Sequence, residues 1–403
     1  MIDYNQIAQK YGTPLYLYDF DHFTAQYEKL KDAFRARKSI LAYAVKASSN
    51  LSIIKHFASL GAGADCVSIG EVRRALLAGV PKYKIIFSGV GKRDDEIAEA
   101  ICSDILYINV ESSAELDRIE LIAKRLDRSV RISIRVNPNI DPKTHPYIST
   151  GLHSNKFGVD LDSAKRMYIQ ANSSQHLEPV GIHFHIGSQL TELEPIRDSA
   201  IIVADLVRSL RSAIGLELKF FDVGGGLGVQ YSDEKIIDPV EYAQAILSTL
   251  SGLDLTIICE PGRFLSANAG YFLTRVLYEK SNSDKRFIIV DGAMNDLLRP
   301  SLYGAYHSIT HFKEADEKVG VADVVGPVCE SGDFLAKDIE LPYFQHNDLI
   351  LINSAGAYGF GMSSNYNTRN RCAEVAISHG RDRLIRRRES FDDQIALERE
   401  FIS

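Results

Sequence analysis

Short apolar, β-branched runs alternate with amphipathic stretches over the first two-thirds of the chain. The runs are SILAYAV (39–45), GADCV (63–67), KIIFS (84–88), ILYINV (105–110), VRISIRV (130–136), GIHFHI (181–186), KFFDV (219–223) and LTIICE (255–260). Helical-period segments such as IGEVRRALLAG and SAELDRIELIAKRL lie between them. Strands that are apolar along their whole length and separated by helices predict a parallel sheet covered on both faces. Eight such units over about 230 residues fit a (β/α)8 TIM-like barrel. A doubly wound open sheet also alternates, but here the chemistry-bearing residues fall at the C-terminal ends of many strands.

After Gly270 the texture changes. YFLTRVLYEK, KRFIIVDGA, KVGVADVVGPVC, NDLILINSAGAYG and EVAISHG are separated by Gly, Asn, Asp and Pro without long helical patterns. They predict a mostly antiparallel β-sandwich or barrel domain. GTPLYLYDF near the N-terminus has the same alternating look. The expected division is therefore a barrel over residues 27–265 and a β domain from 1–26 and 266–403.

Composition narrows the function. The 403 residues are 45% hydrophobic and 25% charged with a formal charge of −7, which gives no electrostatic case for nucleic acid or an anionic membrane. MIDYNQIAQK lacks the basic and apolar regions of a secretory signal, and no apolar run is long enough to span a bilayer. Five cysteines, an odd number with no C-x-x-C pair, fit reduced thiols in the cytoplasm and not a disulfide or zinc framework.

One residue is out of place in this pattern. Lys46 ends the apolar run ILAYAVK, where an ammonium has no packing role. A lysine often just caps a strand and reaches water. Two loops argue for more. KFFDV runs into GGGLG (Gly224, Gly225, Gly226, Gly228), and LTIIC runs into Glu260-Pro261-Gly262-Arg263. Consecutive glycines let backbone N–H groups approach an anion, and barrel phosphate sites are commonly built from the loops after strands seven and eight. A strand-end lysine in the same mouth as a phosphate pocket points to a Schiff base with pyridoxal phosphate, with burial favouring the neutral amine. Glu260 would then face the pyridine nitrogen, unless it simply pairs with Arg263. His183 and His185, on one face of the sixth barrel strand, admit a rival: H-x-H also holds a divalent cation in barrel hydrolases. That reading wants further His and Asp ligands, and no metal is expected.

Together AYAVKAS, GADCVSIGE, GIHFHIGSQ, DVGGGLG, CEPGRFL, DGAMNDLLRPSLYGAYH, GPVCESGDFLA and SAGAYGFGMSSNYN resemble the diaminopimelate decarboxylases, of the alanine-racemase-like, fold type III class of pyridoxal-phosphate enzymes. The resemblance covers essentially the whole chain. It implies decarboxylation of meso-2,6-diaminopimelate to L-lysine and CO2, the last step of lysine biosynthesis. It also implies that Lys46 carries the cofactor, with Asp65 near the imine, and that His185 stacks on the ring. Ser188, Gly225, Glu260, Pro261, Gly262 and Arg263 would hold phosphate and ring. Arg263, Arg299 and Tyr303 match positions that bind substrate carboxylate and polar groups. Cys329, the proton donor, and Glu330, which grips the distal ammonium, match a pair supplied by the other subunit of a homodimer. Tyr358 matches a residue that touches cofactor and substrate. A zwitterionic distal end calls for a cation and an anion together, and arginine binds a carboxylate through its planar fork. Read alone, Cys329 is equally a small buried hydrophobe, Arg299 a loop arginine and Tyr358 a core residue. Carboxynorspermidine or ornithine decarboxylases of the same fold are the nearest alternatives. A non-catalytic relative would not need Lys46, Glu260 and Cys329 intact. GVQY after the glycines and Asn155 before Lys156-Phe157-Gly158 depart from the family pattern.

Overall fold

The protein is described by a computed structural model covering residues 2–141, 150–151, 155–314 and 318–402. Strand β1 (Leu15–Asp19) comes first. Eight strands follow: β2 (Ser39–Ala44), β3 (Gly63–Cys66), β4 (Ile85–Phe87), β5 (Tyr107–Val110), β6 (Val130–Arg135), β7 (Leu177–His183), β8 (Phe220–Asp222) and β9 (Thr256–Cys259). Eight more complete the described strands: β10 (Gly270–Asn282), β11 (Lys285–Val290), β12 (Ile309–His311), β13 (Val319–Val325), β14 (Phe334–Pro342), β15 (Leu349–Ile352), β16 (Ala373–Ser378) and β17 (Arg381–Arg386).

Strands β2 to β9 form a closed parallel barrel in chain order, β9 pairing back onto β2. Its interior packs Ala42, Ile86, Leu106, Tyr107, Val180 and Ile258, all buried. The helices between strands start where side chains satisfy the first free backbone N–H groups. Ser68 accepts from the Glu71 N–H and Ser112 from the Glu115 N–H, each a Ser-x-x-Glu legible in the sequence. Asp238 caps the helix that begins with Pro239. The barrel expected from the apolar runs is the barrel observed. One boundary differs: the sixth barrel strand spans Leu177–His183 and not 181–186. Leu177 and Glu178 already pair with Val130 and Arg131, although LEP reads as loop. Beyond His183 the chain leaves the ladder, and the His185 carbonyl accepts from the Thr150 hydroxyl at 2.8 Å instead.

The other strands form a nine-stranded, mostly antiparallel sheet in the order β14-β13-β11-β10-β1-β16-β17, with β15 also paired to β10 and β12 paired to β15. Only β1–β16 and β11–β13 pair in parallel among its described pairs. One face buries Leu15, Leu17, Leu273, Leu351, Val375 and Ile377 with Ile7 and Ala8 of the helix Tyr4–Tyr11. These positions alternate along β1 and β16, as a half-buried strand requires. The compact units are residues 24–229 with 235–265, and residues 1–23, 230–234 and 266–403.

Leu273 is fully buried in the sheet core, whereas Val321 on β13 is 55% exposed. Leu273→Ala is expected to lower unfolding free energy by about 2–5 kcal/mol, and Val321→Ala to change it by less than about 1 kcal/mol. Urea unfolding with equal midpoints for the two variants would contradict this core assignment.

Candidate active site

The C-terminal ends of the barrel strands bring several ionisable side chains together. Lys46 lies in a short turn, Val45–Ala47, directly after β2. Its Nζ is 3.4 Å from Oδ2 of Asp65 at the end of β3. The expectation of a buried lysine is not met: its side chain is 38% exposed while Asp65 is 1% exposed. Its neighbours Val45 and Ala47 are buried, and the Lys46 side chain between them reaches solvent beside Asp65. Burial raises the Asp65 carboxyl, the Glu260 charge adds to this, and Lys46 opposes it.

Glu260, just past β9, is buried. Its partner is His183, with Nε2 to Oε2 at 3.3 Å, and not the nearby Arg263. Arg263 instead donates through Nε and Nη2 to the Ser188 hydroxyl at 3.2 and 3.0 Å. Burial alone would push Glu260 up, but the adjacent His183 charge, then Lys46, hold it at about 2. Asp222 at the end of β8 moves the other way. Burial and the neighbouring Glu260 push it well above the carboxylate range. Two buried carboxyls this close cannot both ionise cheaply, so Asp222 takes the proton and Glu260 keeps the charge. Asp222 is anchored on both sides, accepting from the Tyr107 hydroxyl at 2.7 Å and the Gly224 N–H at 2.9 Å.

His185 lies beyond the strand, so it does not share a strand face with His183. Its Nδ1 accepts from the Gly225 N–H at 3.2 Å. Burial, then the Arg135 and Lys46 charges, push it well below the usual histidine range, which leaves a neutral flat ring. The glycine loop is tight. A Cβ on Gly225 would lie 2.3 Å from the Glu260 carbonyl oxygen. Gly226 has φ +110°, and a Cβ there would come within 2.4 Å of the Gly187 carbonyl. Only glycine fits both positions. Pro261 and Gly262 are buried beside them.

The sheet unit carries the remaining candidates. Arg299 begins a short helix, Arg299–Tyr303, and is buried, with Tyr303 half-buried and 5.9 Å below its guanidinium. Cys329 and Glu330 are exposed in the loop between β13 and β14. Asp333 shapes that loop by accepting from the N–H groups of Met294 and Val328, both at 2.7 Å. Tyr358 is half-buried with φ +57°, a left-handed conformation. All five cysteines are free. No helix among the described residues is long and apolar enough to cross a membrane.

A family model for the pyridoxal binding domain of pyridoxal-dependent decarboxylases matches residues 20–267. A diaminopimelate decarboxylase of Campylobacter jejuni is 58% identical over 403 residues, with both chains covered completely. The chain belongs to the diaminopimelate decarboxylase family. The crystal structure of the Helicobacter pylori diaminopimelate decarboxylase complexed with L-lysine is 53% identical, with a TM-score of 0.96 over 99% of this chain and 100% of that one. The M. jannaschii enzyme, also in complex with L-lysine, is 39% identical with a TM-score of 0.93 over 98% of this chain and 94% of that one.

The cofactor is pyridoxal phosphate, and the barrel residues fit it. Oε1 of Glu260 and Oδ1 of Asp65 are buried acceptors without a hydrogen-bond partner among the described residues. Such atoms call for a donor, and an ionised Glu260 suits a protonated pyridine nitrogen. His183, Asp222 and Glu260 also have ligand atoms within 4.8 Å of one another, the clustering a metal would use. Here the same three groups leave one carboxylate charged, with His183 beside Glu260 and the proton on Asp222.

Several supporting residues escape sequence reading. Asp222 is visible in DVGGGLG, but nothing local marks it as protonated. Glu111 and Arg135 form a buried pair at 3.1 Å. Glu111 also accepts from the Gly158 N–H at 3.0 Å, and Arg135 lies 4.6 Å over the Phe157 ring, so the pair anchors Lys156-Phe157-Gly158. Arg135 ends an apolar strand as Lys46 does, and that was the available signal. Glu71 Oε2 accepts from the Val67 N–H at 2.7 Å, and burial, opposed by that hydrogen bond and reinforced by Asp65, pushes it up to about 7.

Glu71 gives a pH prediction. The folded protein holds a proton that the unfolded chain releases near 4.5, so this group's stabilisation is full below that pH and lost as pH rises toward 7. Glu71→Gln removes the dependence. Between about pH 5 and 8, the wild-type Tm is expected to fall by roughly 1–3 °C more than that of the variant. Parallel Tm curves would contradict the assignment.

Proposed function

We propose that this chain decarboxylates meso-2,6-diaminopimelate to L-lysine and CO2 as the last step of lysine biosynthesis. Full-length identity of 58% to an enzyme of that name carries the reading. The ionised Glu260 beside Lys46 and Asp65 supports it chemically.

Bound pyridoxal phosphate supplies the electron sink for loss of CO2. Lys46 would be the amine that holds it, and Asp65 would orient that amine. Glu260 keeps the pyridine nitrogen protonated, which strengthens the sink. Neutral His185 covers one ring face without adding a competing charge. Ser188, Gly225 and the Pro261-Gly262-Arg263 segment hold phosphate and ring. Arg263, Arg299 and Tyr303 bind carboxylate and polar groups of the substrate, and Tyr358 touches both molecules. Glu330 grips the distal ammonium, and the Cys329 Sγ delivers the proton to Cα.

A carboxylate and an ammonium at the distal end need opposite charges, and ornithine would leave an arginine without its anion. The exposure of Cys329 and Glu330 on their own loop, as residues offered to a second copy would be, supports a homodimer with shared sites. Its free cysteines suit the cytoplasm.

CO2 release by the protein with added pyridoxal phosphate, offered meso-diaminopimelate, L-ornithine and carboxynorspermidine in parallel, tests the substrate. Release is expected from meso-diaminopimelate, with at least about 10³-fold loss in Lys46→Ala. Preference for another amine would overturn the substrate and spare the cofactor. Loss of activity on chelation, restored by a divalent metal, would favour the hydrolase-like use of His183, Asp222 and Glu260.

The dimer has its own test. Lys46→Ala and Cys329→Ala are each expected to be inactive. Mixing them under exchanging conditions should restore up to about a quarter of wild-type activity, because half of the dimers are hybrids and each hybrid carries one intact site of two. No recovery in a verified hybrid would exclude shared sites.

A further inference from the structure

We propose that His307 is a positioning residue for Arg299, a neutral imidazole that fixes the guanidinium by accepting its Nε–H. The inference rests on the reading of Arg299 as the residue that binds substrate carboxylate.

The argument starts from a tautomer. Nδ1 of His307 lies 2.9 Å from the carbonyl oxygen of Asn353. A carbonyl only accepts, so Nδ1 carries the hydrogen. The other nitrogen, Nε2, lies 3.3 Å from Nε of Arg299. Arginine only donates, so Nε2 presents its lone pair. Both contacts are satisfied by one species, the neutral ring protonated on Nδ1. Arg299 is 6% exposed and His307 is 2% exposed, so both are shielded from water and this assignment is not shared with solvent.

The anchor of this relay is rigid. Asn353 directly follows β15, whose Ile352 pairs with Ile309 of β12. The Asn353 N–H donates to the Ser308 carbonyl at 2.9 Å, and its side chain donates to Thr310 Oγ1 at 2.9 Å. The paired strands β12 and β15 therefore fix a carbonyl, the carbonyl fixes an imidazole, and the imidazole fixes Nε. Tyr231 closes the arrangement. Its ring lies edge-on to His307 at 5.6 Å and 5.1 Å from the Arg299 guanidinium carbon. It belongs to residues 230–234, the short insert within the barrel sequence that folds with the sheet unit.

This matters because an arginine recognises a carboxylate through two N–H groups in a plane. A guanidinium held only at its Cβ end can rotate about its terminal torsions. Tying Nε to an acceptor sets the plane before substrate arrives, which lowers the ordering cost of binding. A protonated His307 would offer a donor in place of the acceptor and set two cations side by side.

Two measurements test it on the holoenzyme. The first is the ¹⁵N spectrum of histidine-labelled protein near pH 7.5, with His307 assigned by its loss in His307→Gln. A neutral ring with hydrogen on Nδ1 is expected, and Arg299→Ala should shift the Nε2 signal. A ring protonated on Nε2, a charged ring, or an unmoved Nε2 signal would overturn the proposal. The second is kinetics with meso-diaminopimelate. His307→Ala should raise KM roughly 10- to 100-fold with kcat within about 3-fold, and His307→Gln, which keeps an acceptor, should recover most of that loss. In an Arg299→Ala background His307→Ala should add less than about 2-fold, because the two act as one unit. A loss confined to kcat, or full additivity, would overturn it. If wild-type protein leaves meso-diaminopimelate untouched, the substrate reading falls, and the spectrum alone decides the His307–Arg299 contact. If His307→Ala does not fold, His307→Gln and the wild-type spectrum decide.

Discussion

One negative charge in the floor of the barrel mouth organises everything near it. Removing a carboxylate from water costs several kcal/mol unless its surroundings compensate. At Glu260 the compensation comes from His183 and, more distantly, from Lys46. A second carboxyl in the same cluster would normally cancel that gain. Asp222 avoids the conflict by staying protonated between the Tyr107 hydroxyl and the Gly224 N–H. The barrel thus stores a charge where pyridine chemistry uses one. Strands β5, β7, β8 and β9 all contribute, so closure of the barrel is a precondition for this ionisation state.

The same economy of donors and acceptors appears around the glycine loop. Gly225 and Gly226 are there because any Cβ would strike a carbonyl oxygen, so backbone can pass close to backbone. That closeness lets the Gly225 N–H reach the Nδ1 lone pair of His185, an imidazole that burial, then Arg135 and Lys46, keep neutral. A cation at His185 would sit with Lys46 and Arg135 and oppose both.

In the sheet unit the logic is orientation more than charge. Asp333 ties the loop bearing Cys329 and Glu330 to backbone N–H groups, and His307 ties Arg299 to a strand-end carbonyl. These residues hold others in place without being reactive themselves. Membership of the diaminopimelate decarboxylase family supplies the chemistry, and these contacts describe how this chain would prepare for it.

Much was legible from the chain alone. Continuous apolar runs separated by helical-period segments specify a covered parallel sheet, because only a buried strand is apolar on both faces. Alternation after Gly270 marks a half-buried sheet. Lys46, Glu260 and the glycines stood out as residue types with no packing reason to be where they are. What stayed hidden depends on which groups meet across the barrel or the sheet. Lys46 proved partly exposed, Glu260 chose His183 over Arg263, and His185 fell outside its strand. The protonation of Asp222, the pairing of Glu111 with Arg135 and the contact of His307 with Arg299 carry no local mark, since each depends on a partner distant in sequence. Periodicity and composition report what each segment must bury. Protonation and orientation are set by the neighbours that burial assembles, and only the tertiary structure decides who those neighbours are.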